Sequence, residues 1–340
     1  MRSRDPKSHN GADKVTVLIP ARDDWTALAS LLDSLDAEFA GSNHKTEVLV
    51  VDDCSERRYE ESGVGIGPFA NIARVSVIEL KRNLGHQRAI SLGLTFIEAN
   101  IETSMVLVMD GDGEDTPAEA LRLVTRCRDL GNSKIIFARR TRRSEGFLFR
   151  AFYAIYKNLY RLLTGKAYRF GNFSAIPAKF LGRLSVISEG WNHYASSVLK
   201  ARVPFEEIDT VRGTRLDGTS KMGLTSLVIH GLSAISVHSE VVGVRMLAAT
   251  LGLTVISLLL VAIVVAIRLL TDLAVPGWAT YVTALLVVIL LQSVTLSFFF
   301  SFIVLSGREN ATFLPERDHH YFIAGETVIF ERDGAGVLNA

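Results

Sequence analysis

The run Asp110-Gly111-Asp112-Gly113-Glu114-Asp115 sets four carboxylates in six residues. Negative charges that close repel one another, and a bound divalent cation relieves the repulsion. Hard oxygen ligands suit Mg2+ or Mn2+, which are usually held by one or two protein carboxylates together with substrate phosphates. The intervening glycines let backbone approach a ligand closely. The alternative is an acidic turn leading into a helix at Pro117, and Asp115 by itself reads as the cap of that helix. Two more polar clusters, Arg22-Asp23-Asp24 and Asp52-Asp53, follow apolar runs in the same way.

The elements that must position these clusters are legible as alternating strand and helix signals from Val15 to Ala138. Val15–Ile19 and Glu47–Val51 read as strands, the second ending in Asp52-Asp53. Val75–Leu80, Met105–Met109 and Lys134–Ala138 are the next three. Helical patterns lie over Asp24–Phe39 and His86–Ala99, and another starts at Pro117, with proline in its first turn and Glu119 behind it. This alternation predicts a mostly parallel, doubly wound sheet, whose ligands sit beyond the carboxyl ends of the strands. All three acidic clusters fall at such ends.

Other signatures are missing. Gly63, Gly65 and Gly67 form a G-x-G-x-G run that does not join a strand to a helix, so it reads as loop. There is no Walker A sequence and no Gly-rich Arg loop of the nucleotidyltransferase kind. Cys54 reads as a small turn residue, because no histidine is placed near it in sequence. Two cysteines, Cys54 and Cys127, exclude a disulfide framework and fit a reducing, cytoplasm-facing compartment. Lys plus Arg is 37 against 36 for Asp plus Glu, a net charge of +1 that argues against a nucleic-acid partner.

The apolar residues are concentrated late in the chain. Met246–Ile267 and Leu273–Gly307 carry no charge. Each is long enough to cross the roughly 30 Å hydrocarbon core, which takes about 20 residues as a helix. They predict a transmembrane hairpin with a loop near Thr271–Pro276, the alternative being buried core helices. Met1–Lys14 is polar, with no apolar leader, so residues 1–14 are expected to be a flexible start and the front domain to stay in the cytoplasm. From Arg139 to Arg169, nine Lys or Arg face a single acid, Glu145. Within that stretch Phe147–Leu163 predicts a helix with Arg150, Lys157 and Arg161 on one face, suited to an anionic membrane surface. A core helix with a solvated basic face is the alternative. Met222–Ser239, also uncharged, predicts an interfacial or partly buried helix rather than a third span.

Several pieces together resemble the family 2 inverting glycosyltransferases, specifically the polyprenyl-phosphate glycosyltransferase group that includes dolichol-phosphate mannose synthase. They are Val17-Leu-Ile-Pro-Ala21, Val50-Val-Asp-Asp-Cys-Ser55, Arg82-Asn-Leu-Gly85, Met109-Asp-Gly-Asp112, and Arg212-x-x-Arg215-x-x-Gly218-x-Ser220-Lys221 before the apolar pair. The resemblance implies a GT-A fold, an α/β doubly wound sheet followed by interfacial helices and a two-helix transmembrane hairpin. It implies residues 15–211 as catalytic domain, 212–245 as a phosphate-binding segment and juxtamembrane helix, 246–307 as the hairpin and 308–340 as a cytoplasmic tail.

The resemblance also implies roles. Pro20, Ala21, Asp24, Asp52, Asp53, Asn83, Asp110 and Gly111 would line a UDP- or GDP-linked sugar. Asp110 and Asp112, with Glu114 where relatives often carry Gln, would hold Mg2+ or Mn2+ on its diphosphate. Arg212, Arg215, Ser220 and Lys221, with Arg139 and Arg140, would hold the phosphate of a polyprenyl-phosphate acceptor. Asp112, Arg215 and Lys221 are the expected catalytic residues of a metal-dependent, inverting hexosyltransferase in the cytoplasmic or an ER-type membrane. A homo-oligomer stays open, as does a transferase acting on another glycolipid or glycan, or a silent nucleotide-sugar-binding protein.

The chain departs from the group in having Asp23-Asp24 after the first strand, where relatives often carry Asn-Glu. It also has Gly171-Asn172-Phe173-Ser174 where they often carry Gly-Asp-Phe-Arg. Asn172 cannot act as a base. A lipid phosphate is already ionised near neutral pH and needs none, whereas a sugar hydroxyl would need one within reach. Glu189 and His193 are the substitute base candidates, with packing roles as the alternative.

Overall fold

The computed structural model describes residues 13–42, 44–140, 147–165, 171–216, 224–271, 277–309 and 313–332. Its contacts divide the chain into two compact units. One comprises Met1–Gly146, Tyr168–Val237 and Thr312–Ala340, and the other Phe147–Ala167 and His238–Ala311.

The first unit opens with β1 (Lys14–Ala21), α1 (Trp25–Glu38), β2 (Lys45–Asp52), the single turn α2 (Tyr59–Ser62) and β3 (Ile72–Leu80). Next come α3 (His86–Asn100), β4 (Met105–Val108), α4 (Pro117–Asp129) and β5 (Ile135–Arg140). After α5 (Phe147–Thr164), which belongs to the second unit, follow β6 (Ser174–Pro177), α6 (Leu181–Ser185), α7 (Tyr194–Lys200), β7 (Phe205–Thr210) and α8 (Leu224–Ser236). The five expected strands and the helices between them are all present, with ends moved by three residues or fewer.

The eight strands form one sheet in the order β7-β5-β6-β4-β1-β2-β3-β8, where β8 is Ile323–Glu331. The pairs β1–β2, β1–β4, β2–β3 and β5–β7 are parallel, while β4–β6, β5–β6 and β3–β8 are antiparallel. Chain order reverses at β1, with β2 on one side and β4 on the other, so a crevice opens beyond the carboxyl ends of these three strands. Central strands are apolar on both faces because helices cover both. α1 and α4 bury Leu28, Leu32, Leu123 and Val124 on one face, and α3 buries Ile90, Leu94 and Ile97 on the other. At Gly93 on α3 a Cβ would run into the Leu18 side chain and lie 2.9 Å from Val51 Cγ2, so helix and sheet approach there as only glycine permits.

The expectation of a tail over 308–340 is corrected by β8. This strand pairs with β3, more than 240 residues earlier, from Arg74↔Glu331 to Leu80↔Ile323. Its single alternation is weak, since most of its residues are exposed. The short helix α11 (Pro315–Asp318) precedes it, and Phe313 and Phe322 pack on Trp191 with ring centroids 3.9 and 5.1 Å away.

The second unit holds α5, α9 (Ser239–Leu270) and α10 (Trp278–Glu309). The helix at 147–163, expected within the catalytic region, is thus grouped with the apolar pair. Within this unit Arg245 Nη1 donates to the Leu162 carbonyl at 2.6 Å, placing a cation at the negative end of α5. Among the described residues α9 and α10 are two helices long and apolar enough to cross a membrane, and only 11% of either apolar window is buried. The buried positions of α9 are Gly243, Thr250, Ser257 and Val264, one every seven residues. That spacing makes a straight seam of mostly small residues along which α10 packs, and Ser297 Oγ donates across it to Thr250 Oγ1 at 2.8 Å. Most of the expected loop over 271–276 lies outside the described residues.

Candidate functional site

The three acidic clusters converge at the crevice beside β1. Asp53 N donates to Ala21 O at 2.9 Å and Met109 N to Leu18 O at 3.1 Å, so the β1–β2 ladder runs through Asp52-Asp53 and the β1–β4 ladder to the residue before Asp110. Asp23 and Cys54 take positive φ of 53° and 58° at the ends of β1 and β2, where the chain turns sharply out of the sheet. That conformation bears out the reading of Cys54 as a turn residue.

Asp52 and Asp53 are buried, at 3% and 6% exposure, and each has a separate task. Asp52 Oδ1 accepts from Ser55 N and Ser55 Oγ, at 3.0 and 2.6 Å. Asp53 accepts from Leu84 N at 2.6 Å and Gly85 N at 2.8 Å, and so clamps the loop carrying Arg82 and Asn83. Burial pushes both carboxyls above their ordinary range, and these hydrogen bonds oppose it. Pro20 is buried, Ala21 half-buried, and Asp24 and Asn83 exposed around the same strand ends.

The acidic turn after β4 folds tightly. Asp110 N donates to Asp115 Oδ2 at 3.1 Å, and Glu114 N to Asp112 Oδ1 at 3.0 Å. The cap of α4 is Thr116, which accepts from Glu119 N, and not Asp115 as the sequence suggested. A Cβ at Gly111 would lie 3.2 Å from Ile19 Cγ2, so the turn sits against the end of β1.

The segment 211–216 closes over this turn. Gly213 N donates to Glu114 O at 2.9 Å and Leu216 N to Asp112 O at 3.0 Å. Arg215 Nη2 donates to Asp112 Oδ2 at 2.5 Å, and Arg212 holds Glu114 through Nε at 2.9 Å and a second nitrogen. Partial burial weakens the charge on the Arg215 guanidinium, and the carboxylates of Asp112, Glu114 and Asp24 more than restore it. These five expected site residues are therefore brought together. Ser220 and Lys221 lie outside the described residues, as does the side chain of Arg140. Arg139 is engaged on β7, 2.6 Å from Asp209 Oδ1 and 3.6 Å from Glu207.

Sequence reasoning missed His86, the first residue of α3. Its Nε2 lies 3.1 Å from Asp110 Oδ1 and 3.0 Å from Asn172 Nδ2. Partial desolvation of the ring lowers its affinity for a proton, but Asp110, Asp115 and Asp112 outweigh that and hold it above the usual histidine value. A lone histidine carries no motif, so only its position directly after the Arg82-to-Gly85 turn pointed toward it. Of the proposed base substitutes, Glu189 is paired with Lys200 at 2.5 Å, and buried His193 caps α7 by accepting from Ser196 N. Both fill the packing roles.

Asp110, Asp112 and Glu114 are the donors to test against a divalent ion. Their oxygens are hard, and the positive charge such an ion brings is supplied here by His86, Arg215 and Arg212. Among the described residues no three His, Cys, Asp or Glu side chains form a closed metal set. A half-buried carboxylate pair at the crevice edge fits an ion completed by substrate phosphates.

With this geometry in view, comparison with known proteins places the chain. The model of glycosyl transferase family 2 matches residues 16–191, just over half of the chain. The chain belongs to that family. An uncharacterised glycosyltransferase, YkcC of Bacillus subtilis, is 26% identical over 219 residues, covering 62% of this chain and 64% of that protein. The undecaprenyl-phosphate 4-deoxy-4-formamido-L-arabinose transferase of Erwinia tasmaniensis is 30% identical over 154 residues, 45% of each chain. The chain thus spans about half to two thirds of the length of these relatives. Among solved structures, glucosyl-3-phosphoglycerate synthase from Mycobacterium tuberculosis, in complex with Mn2+, UDP-glucose and glycerol 3-phosphate, superposes with TM-score 0.47 at 14% identity. That superposition covers 69% of this chain and 82% of that one.

Proposed function

We propose that this glycosyltransferase moves a sugar, with inversion, from a nucleotide-sugar donor to a membrane polyprenyl phosphate. The observation that carries the reading is the meeting of Asp112 with Arg215 and of Glu114 with Arg212, beside Asp110, at the strand-order reversal. Carboxylates for a cation and guanidinium groups for phosphate are what a donor diphosphate and an acceptor phosphate need in one place. The undecaprenyl-phosphate relative supports the acceptor class, and the two apolar helices fit an acceptor that lies in a bilayer.

In this reading Asp52, Pro20, Ala21 and Asp24 line the base and ribose, and Asp53 holds the Asn83 loop in place beside them. Asp110 and Asp112, with Glu114 near them, would hold Mg2+ or Mn2+, and such an ion would supply stabilisation of charge on the departing diphosphate. Arg215 and Arg212 exchange their carboxylate partners for phosphate oxygens once the donor's charge arrives. Lys221 and Ser220 add to that phosphate grip, and Arg139 and Arg140 lie along the approach of the lipid. The acceptor oxygen attacks the anomeric carbon directly, so the configuration inverts. The catalytic unit faces the cytoplasm, with α9 and α10 as spans and α5 on the anionic surface.

The test uses purified protein in detergent, a short polyprenyl phosphate, and a panel of UDP- and GDP-sugars with Mn2+, with and without EDTA. Mass spectrometry is expected to find a lipid-phosphate sugar that EDTA abolishes. Donor hydrolysis with no lipid product would move the acceptor elsewhere.

A further inference from the structure

The hydrogen bonds that run from Tyr194 through Gln87 to Asn172 have one direction, which Tyr194 N sets. A backbone N–H can only donate, so the Gln87 atom 2.8 Å from Tyr194 N is Oε1. Gln87 therefore turns its Nε2 to Asn172, 3.1 Å away, and the Asn172 atom receiving it is Oδ1. The other end of that carboxamide, Nδ2, is left on the side of His86 and Asp110, 3.0 Å from His86 Nε2. An amide nitrogen carries two hydrogens, and His86 Nε2 accepts one of them only when it carries no hydrogen of its own for Asp110 Oδ1, so in either state at least one stays available on a residue that is only half-buried. The loop is anchored to match. The fully buried Ser174 donates through Oγ to Asn172 O at 2.8 Å and meets the buried Tyr194 hydroxyl at 2.8 Å. Tyr194 thus fixes both Gln87 and the Asn172 loop. At this edge of the crevice, one imidazole away from Asp110, the protein presents a neutral N–H donor and no proton acceptor of its own on Asn172.

We propose that Asn172 selects the acceptor by charge, donating its N–H to an oxygen that arrives already ionised, and that Gln87 is the positioning residue that keeps this donor facing the site. The inference rests on the reading of the chain as a transferase with a phosphate acceptor. In the step it serves, a phosphate oxygen bonds to the anomeric carbon while the bond from that carbon to the diphosphate oxygen breaks. The bonding electrons leave with the nucleoside diphosphate, and no proton moves. A hydroxyl acceptor must also lose a proton, which Asn172 cannot take. A donor held toward an anion also makes a stronger hydrogen bond than one to a neutral oxygen.

The test compares wild type with Asn172→Asp and Gln87→Glu in nanodiscs with Mn2+, measuring binding of a short polyprenyl phosphate and of the polyprenol of the same length. Asn172→Asp replaces the donor by a carboxylate. Gln87→Glu accepts from both Tyr194 N–H and Asn172, which turns the Asn172 amide round without changing residue 172. Wild type is expected to prefer the phosphate at least tenfold, and both variants to cut that preference severalfold while keeping their thermal midpoints. A preference retained by both variants overturns the role of Asn172 and leaves the acceptor reading standing. A wild type with no preference overturns the acceptor reading itself.

Discussion

Asp52 and Asp53 are neighbours that the sequence could only treat as a pair, and the fold separates them. Asp53 spends both oxygens on the backbone of the Leu84-Gly85 turn, whereas Asp52 answers only Ser55. Burial raises the Asp52 carboxyl above its ordinary value, with Asp23 and Asp53 adding to it, so its charged form opposes folding near neutral pH. Asp52→Asn keeps an oxygen for Ser55 and removes the charge. It is expected to raise the melting temperature and to weaken nucleotide binding, as calorimetry and equilibrium binding would register. His44 carries the opposite pH signature. Burial, with the Arg128 guanidinium 2.9 Å from Nδ1, lowers it from 6.5 to about 4. The unfolded chain binds the extra proton first, so stability contributed by neutral His44 is complete above pH 6.5 and is lost as the pH falls toward 4. His44→Gln should flatten the fall in melting temperature across that window, and an unchanged slope would assign it to other groups. Residues such as His86 and Gln87 were harder to read, as was the link that ties Asn172 to them. Their importance comes from bonds between positions more than 80 apart, and no local pattern records those.

The elements were the most legible scale. Continuous apolar runs such as Val17–Ile19 and Met105–Val108 could only be strands buried on both faces, and Pro117 marked a helix start. β8 escaped because a strand exposed along most of its length shows little of the alternation that announces one. The cap at Thr116 was missed because Asp115, the apparent cap, turns back to the Asp110 N–H. Helix α3 is the element on which site geometry depends most, since it carries His86 and Gln87 at its start and rests on β1 and β2 through Gly93. Gly93→Ala drives a methyl group into Leu18. Such overpacking costs roughly 1–3 kcal/mol, and chemical denaturation should find a loss of that size. A neutral result would mean that α3 is free to shift away from the sheet.

At the scale of the whole molecule, the sequence separated an α/β sheet from an apolar pair, and the structure keeps that separation with two exchanges. The helix over 147–164 joins the apolar pair, and the segment after residue 312 joins the sheet. Both exchanges link stretches far apart in sequence, so neither periodicity nor composition could announce them. The account makes Asp112 the point where its parts meet: it ends the acidic pair, receives Arg215, and lies in the turn that Leu216 closes. The most direct measurement is therefore the rate of sugar transfer to polyprenyl phosphate by Asp112→Asn and wild type, both in the same lipid with Mn2+ and the same donor. The account predicts a loss of about 10²-fold or more, the scale expected when charge stabilisation of a leaving group is removed, with folding and membrane association unchanged. Transfer at the wild-type rate would contradict it.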